Sequence, residues 1–157
     1  MQRKEDRLAG DMAAVPGTTG YSGTTLAKKL GLARGQAAAL LGVPETIGEI
    51  CGFDGFASVA VALPETPWRA FDYMHLFTSE RATLEALASA LFRVLRPNGI
   101  LWISWPKKSS RMPTDITEDV LREILLPTGL VDVKVCAVDE VWSGLKFVIR
   151  KELRGAL

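Results

Sequence analysis

The sequence has little of several features that mark particular classes of protein. Its 157 residues include two cysteines, Cys51 and Cys136, and a single histidine, His75. The cysteines show no metal-ligand spacing, and small secreted proteins usually carry more of them. No apolar run approaches the about 20 residues that span a bilayer, and residues 1–7 lack the apolar core of a secretory signal. These absences predict a reduced, soluble protein of the cytoplasm.

An excess of charge of one sign is also missing. Lys and Arg number 19 against 18 acidic residues, so we expect neither a nucleic acid nor a membrane as partner. Hydrophobic residues make up 48% of the chain, which favours a packed core over disorder. Residues 1–19 show no sustained period and predict a mobile tail. Residues 20–157 then form one domain.

The first half of the chain alternates short helical and extended patterns. Ser22 is placed to cap a short helix that Gly31 closes. The elements expected after it are a strand at 36–43, a short helix at 46–51 with Ile47, Ile50 and Cys51 inward, and strands at 57–63 and 71–77.

The second half contains the longest helical pattern and a closing hairpin. Apolar residues recur at helical spacing over 80–96, after Ser79 as the expected cap. Pro97 and Gly99 end this helix, and a buried strand follows at 100–105. Asp115 and Glu118 form a capping-box pattern for the next helix. The inner face of that helix is expected to comprise Ile116, Val120, Leu121, Ile124 and Leu125, and strands at 131–138 and 145–150 then pair as an antiparallel hairpin at the sheet edge.

This order predicts an α/β fold: a single Rossmann-like domain with a mostly parallel sheet flanked by helices, closed by the antiparallel hairpin. Residues 64–70 contain two prolines and are too short for a crossover helix. We therefore expect a trimmed sheet. The strand at 57–63 is open to a parallel or an antiparallel placement.

Ligands of a parallel sheet bind outside the carboxyl ends of its strands. Three strand tips carry the candidate ligand-binding residues Glu45, Thr78, Ser79, Trp105, Lys107 and Lys108. Trp105 offers an aromatic face, and the two lysines offer charge for a phosphate or carboxylate. The alternative is that Trp105 fills the end of the sheet and the lysines keep the loop soluble.

Other polar residues carry weaker indications. Ser22 could hold an anion at the start of its helix, although Lys28 and Lys29 lie toward the far end and favour plain capping. Trp142 and Ser143 form a turn with an aromatic side chain that could contact a partner. No Ser or Cys is placed beside His75 by the sequence, so no catalytic residue is assigned. The acidic residues have no metal-ligand spacing, and no metal is expected.

Three segments resemble a family of small bacterial proteins that is classed only as a domain of unknown function. They are residues 20–31 (GYSGTTLAKKLG), 104–108 (SWPKK) with 114–119 (TDITED), and 134–140 (KVCAVDE) with 142–145 (WSGL). This resemblance covers nearly everything after the tail and implies no activity.

The order of elements from residue 71 onward also resembles the C-terminal half of class I, S-adenosylmethionine-dependent methyltransferases. In those enzymes the first strand leads into a glycine-rich loop that approaches the cofactor. Here residues 41–45 hold one glycine and Pro44, which has no amide donor. Glu65 follows the second strand, where a ribose-binding acid would lie, but such a residue is more often a turn residue. We therefore expect no cofactor, S-adenosylmethionine included.

Two functions from different classes follow from these observations. The first is a non-catalytic binding or interaction module whose contact surface includes Trp105, Lys107, Lys108 and Trp142, with an anionic small molecule or a protein as partner. The second is an enzyme that acts on a phosphorylated or carboxylated metabolite in the same crevice, with the two lysines holding the anion.

Overall fold

A computed structural model describes residues 25–65 and 68–157. The expected tail at 1–19 and the candidate Ser22 lie outside the described residues. The elements are α1 (Leu26–Leu30), β1 (Ala37–Leu41), α2 (Gly48–Cys51), β2 (Ser58–Ala60), β3 (Phe71–Phe77), α3 (Arg81–Val94), β4 (Leu95–Pro106), α4 (Glu118–Leu125), β5 (Leu130–Ala137), β6 (Trp142–Ile149) and α5 (Lys151–Arg154). None of these helices is long and apolar enough to cross a membrane.

The six strands form one sheet in the order β2-β1-β3-β4-β6-β5. The first four strands are parallel, whereas β6 is antiparallel to both β4 and β5. The predicted α/β class and C-terminal hairpin are therefore confirmed. Of the two placements left open for the second strand, the parallel one is right. With only three residues, β2 also leaves a longer link to β3 than the sequence indicated.

Helices cover both faces of the sheet. The face under α3, α4 and α5 holds the larger core cluster, including Leu84 and Leu121. The face under α1 and α2 holds a smaller cluster around Trp102. The indole nitrogen of Trp102 donates to the Leu30 carbonyl at 2.8 Å, so the last turn of α1 is tied to β4. The sheet is thus a buried middle layer, which explains why β3 and β4 read as nearly continuous apolar runs.

The helix ends differ from the predictions in several places. Thr25, rather than Ser22, caps α1, and its hydroxyl accepts from the Lys28 amide. Gly31 ends this helix with φ 82°, as predicted. Cys51, expected to point inward, is exposed because α2 is only four residues long and buries Ile50.

The long helix α3 ends at Val94, and Leu95 already begins β4. The backbone amides of Arg69 and Ala70 donate to the carbonyls of Arg93 and Val94, which draws the chain into the sheet. Residues 95–99 were expected to be a helix end followed by a turn. They instead enter β4 through an irregular register, since Phe71 pairs with Leu95 but Tyr73 pairs with Ile100.

Candidate functional site

The carboxyl ends of β2, β1, β3 and β4 lie at one edge of the sheet, as their parallel directions require. The chain passes from β1 to β2 on one side and then returns to β3 on the other. The switch point of the sheet therefore lies between the ends of β1 and β3, where open α/β sheets bind their ligands. Glu45 follows β1, while Thr78 and Ser79 follow β3. The structure thus brings the predicted strand tips to one edge.

The ends of β1 and β3 are in close contact at this switch point. Gly42 adopts φ 71°, and a Cβ atom added there would lie 2.8 Å from the Phe77 carbonyl oxygen. Only glycine combines this conformation with such an approach. Pro44 follows two residues later and has no amide hydrogen to offer a ligand. Gly42, in the turn after β1, therefore allows β1 and β3 to approach each other closely.

The loop after β4 presents three positive charges. We call residues 107–111 the basic loop: Lys107 is half-buried, and Lys108 and Arg111 are exposed. Its first residue is fixed because the Lys107 amide donates to the Val141 carbonyl at 2.7 Å. The Ser110 hydroxyl donates to the Lys107 carbonyl at 2.6 Å. The loop is thus held against the β5–β6 turn.

Thr114 and Asp115, at the other end of the segment that joins β4 to α4, are hydrogen-bonded to the start of α3. The Thr114 hydroxyl donates to the Ser79 carbonyl at 2.7 Å, and Asp115 accepts from the Arg81 amide at 2.7 Å. Asp115 therefore satisfies the N-terminus of α3 rather than capping α4, as its spacing had predicted. Ser79, the predicted cap of α3, is replaced at that position by Glu80, whose side chain makes no capping bond. Thr117 caps α4 by accepting from the Val120 amide.

Some surface arginines are engaged in ion pairs, whereas the basic loop, like Lys28 and Lys134, shows none among the described residues. Arg81 pairs with Glu85 and Glu123, and Arg122 pairs with three carboxylates. Within the described part of the chain, no carboxylate forms a salt bridge with Lys107, Lys108 or Arg111. Among the described residues, the charge of the basic loop therefore has no carboxylate partner.

Of the two alternatives for Trp105, the structure agrees with the one in which its ring is buried. Trp105 is 7% exposed and belongs to the core under α3 and α4, so its ring offers no aromatic face to a ligand. Trp142 and Ser143 are half-buried and lie in β6, not in a turn. The turn lies one step earlier, where Asp139 accepts from the amides of Val141 and Trp142. The ring of Trp142 packs edge-on against Phe77.

A buried polar chain, missed at the sequence level, crosses the core beneath these tips. The Tyr73 hydroxyl lies 3.1 Å from Nδ1 of His75, and the Ser104 hydroxyl lies 2.7 Å from Nε2. His75 and Ser104 are both fully buried. Burial lowers the pKa of His75 to about 3 and raises the pKa of Tyr73 well above its usual range. The histidine is therefore neutral at physiological pH and closed to solvent.

The alternation along β3 could have indicated part of the buried polar chain, because Tyr73, His75 and Phe77 share one face of the strand. The serine required the register between β3 and β4. That register passes through the irregularity between Phe71 and Tyr73, which no local pattern reveals.

The remaining candidates lie away from the strand tips. The Glu65 carbonyl faces Arg93 at the end of α3, so this acid lies near the amino edge of the sheet. Cys136 is half-buried beside the smaller core cluster. Among residues 25–65 and 68–157, no three His, Cys, Asp or Glu side chains gather closely enough to hold a metal ion.

Known structures share this fold. An S-adenosylmethionine-dependent methyltransferase from Aquifex aeolicus matches with a TM-score of 0.57 and 17% identity over 78% of this chain and 86% of its own. A TehB-like S-adenosylmethionine-dependent methyltransferase from Corynebacterium glutamicum gives 0.55 and 12%, over 80% and 85%. The 1,6-didemethyltoxoflavin-N1-methyltransferase of Burkholderia thailandensis, solved with bound S-adenosylhomocysteine, gives 0.54 and 15%, over 80% and 75%.

Comparison by sequence, unlike comparison by structure, gives no match. No family model matches the chain, and no curated protein matches it, so the resemblance to a bacterial family of unknown function stays a prediction. At identities of 12–17% the structural likeness shows the fold and not the activity. The domain has a trimmed, methyltransferase-like α/β fold.

Proposed function

We propose that this domain is a non-catalytic binding module whose contact surface is the carboxyl edge of the sheet. The observation that carries the proposal is the basic loop. It places three cations in five residues, it is anchored at both sides, and the described residues supply no carboxylate to pair them. A fixed loop of positive charge at the same edge of the sheet as the switch point fits an anionic partner, either a small molecule or a protein.

The positions of the proton-transfer groups favour binding over catalysis. A general acid or base must reach the reacting atoms within hydrogen-bond distance. His75 and Ser104 lie within reach of each other but are closed to solvent. Their chain with Tyr73 therefore supports the core rather than a reaction.

The residues at the switch point do not fit S-adenosylmethionine. A cofactor loop needs glycines that leave room for the cofactor and amides that contact it. Here Gly42 lies against the Phe77 carbonyl, and Pro44 has no amide donor. Glu65, the candidate ribose-binding acid, lies near the opposite edge of the sheet. We therefore propose that the fold is retained without its cofactor, and no reaction step is assigned to one.

The near-balance of charge supports a small anion or a protein rather than nucleic acid or membrane. We further propose a cytoplasmic location. The half-buried Trp142 and Met112, which is 42% exposed, add apolar contact area near the basic loop. Ser143 follows Trp142 in β6.

A thermal-shift panel of pyrophosphate, citrate, nucleotides, sugar phosphates, nicotinamide cofactors, S-adenosylmethionine and S-adenosylhomocysteine tests the proposal. A ligand at about 100 times its Kd adds about 2.7 kcal/mol. We expect an anion to stabilise the wild type and to lose its effect in Lys107→Ala/Lys108→Ala. The matched control Lys28→Ala/Lys134→Ala removes the same charge elsewhere and is expected to respond like the wild type.

Three outcomes count against the proposal. A stabilisation that survives in Lys107→Ala/Lys108→Ala would remove the basic loop from the site. Saturable binding of S-adenosylmethionine would contradict the fit drawn from Gly42 and Pro44. Turnover of a stabilising metabolite would favour the alternative, an enzyme acting on a phosphorylated or carboxylated substrate.

A further inference from the structure

Arg69 occupies the corner where the end of α3 meets the amino edge of the sheet. Its Nη1 donates to the carbonyl of Phe92 and, at 2.9 Å, to the carbonyl of Leu95. These are among the carbonyls that a helix leaves without an intrahelical partner at its C-terminus. Nη1 of Arg69 therefore has a structural role at the end of α3, and this role does not involve Nε and Nη2.

Nε and Nη2 of Arg69 are closed to solvent and find no acceptor among the described residues. These two nitrogens form the side-on edge of the guanidinium, which gives two parallel hydrogen bonds to a carboxylate or a phosphate. Buried donors in native proteins nearly always have a partner, because an unpaired buried polar group is costly. The free edge therefore has the shape and charge of one half of an anion site.

Two aromatic rings lie against the guanidinium. The Phe92 ring centroid lies 4.5 Å from Cζ of Arg69, and the Trp68 ring centroid lies 4.7 Å from it. Phe92 is half-buried against the core, whereas Trp68 is 58% exposed and is the more solvent-facing of the two rings. The backbone of Arg69 has φ 54°, a conformation that is unfavourable for a residue with a side chain. Such strain clusters at ligand clamps and similar functional positions.

The segments that meet near this corner have a net positive charge. The Phe92 ring and the Leu153 side chain both pack against Gly129, which brings α5 to the same corner. The segments 65, 68–72, 92–96 and 150–154 carry six basic and three acidic residues. The basic ones are Arg69, Arg93, Arg96, Arg150, Lys151 and Arg154. Asp72 is already paired with Arg96 at 3.0 Å.

We propose that Arg69 is the centre of an oxyanion-binding site at the amino edge of the sheet. Nε and Nη2 donate to two oxygens of a phosphate or carboxylate, and the Trp68 ring moves aside to admit it. The site lies at the opposite edge from the basic loop and is independent of it.

The resonance of the Arg69 Nε–H group tests this site directly. A ¹H–¹⁵N spectrum of the arginine Nε region is recorded on the full chain during separate titrations with inorganic phosphate, acetate and sodium chloride. The Arg69 signal is assigned by its loss in Arg69→Lys. We expect a saturable shift with phosphate or acetate that sodium chloride does not reproduce, and the anion acting at the lower concentration identifies the ligand class.

Two variants sharpen the result. Arg69→Lys keeps the charge but loses the side-on edge, so we expect about tenfold weaker binding, measured calorimetrically. Trp68→Ala removes the cover and keeps Arg69, so half-saturation is expected at a lower anion concentration. If Arg69→Lys does not fold, the calorimetric affinity of Trp68→Ala compared with the wild type still tests the site, because it needs no assignment of the Arg69 signal.

The absence of a specific shift in both the wild type and Trp68→Ala would overturn the proposal. So would equal affinity in Arg69→Lys. Lys107→Ala/Lys108→Ala is expected to retain the Arg69 response, so the failure of one proposed site leaves the other intact.

Discussion

The stability of the domain is expected to fall in mild acid because of His75. Its pKa in the folded protein is about 3, against an ordinary value of 6.5. Protonation therefore favours the unfolded chain, and the contribution of the neutral ring is complete above pH 6.5 and lost as the pH falls toward 3. Each pH unit in this window is worth about 1.4 kcal/mol. At pH 5, one and a half units below 6.5, the loss is about 2 kcal/mol.

Chemical denaturation at a series of pH values from 7.5 to 5 measures this loss. The free energy of unfolding is expected to fall by about 2 kcal/mol, or the melting temperature by roughly 4–8 °C. The control is His75→Gln, whose amide can still bond to Tyr73 and Ser104 but does not titrate. Only the pH dependence of the free energy of unfolding is compared between His75→Gln and the wild type, not its absolute value. A wild type with constant stability over this range, or an equal slope in His75→Gln, would refute the reasoning.

Three further substitutions test the local geometry by their free energies of unfolding. Ser104→Ala leaves one buried ring nitrogen of His75 without a partner and should cost about 1–3 kcal/mol; an unchanged stability would contradict the buried chain. Gly42→Ala should cost about 1–3 kcal/mol, since φ is 71° and the added Cβ atom would lie 2.8 Å from the Phe77 carbonyl oxygen. The control Gly48→Ala adds a Cβ atom that meets no atom within 4 Å and should be neutral or stabilising. Asp115→Ala should cost about 1 kcal/mol, because the Arg81 amide at the start of α3 loses its acceptor. An unchanged free energy of unfolding would contradict a capping role for Asp115.

The elements with long, regular patterns could be predicted from the sequence. The stripe that includes Leu84 and Leu91 is buried in α3 as expected, because a helix of four turns leaves little ambiguity of period. The end of α3 could not be predicted, since it depends on amides of Arg69 and Ala70, distant in sequence. Local signals at Pro97 and Gly99 therefore placed the boundary too late.

The edge that holds the candidate site followed from strand direction alone, and the tips carrying Thr78, Lys107 and Lys108 lie together at that edge, as predicted. Side-chain exposure within β4 was not predictable. Most positions from Ile100 to Trp105 are apolar, and the local sequence left Trp105, buried under α3 and α4, open to a buried or an exposed placement.

Contacts between segments distant in sequence were missed for the same reason. Asp115 has the spacing of a cap for α4, yet it bonds to α3 across 34 residues. His75 meets Ser104 across 29 residues, through a register that an irregular β4 sets. Local sequence patterns contain no information about such contacts between distant residues.

The backbone amides of the carboxyl edge provide the most direct test of the proposed function. A ¹H–¹⁵N spectrum is recorded as a stabilising anion from the panel is titrated into the wild-type chain. We predict saturable shifts at Thr78, Ser79, Lys107, Lys108 and Arg111, and their loss in Lys107→Ala/Lys108→Ala. Shifts confined to other parts of the sheet, or shifts unchanged in that variant, would contradict the assignment of the basic loop as the binding element.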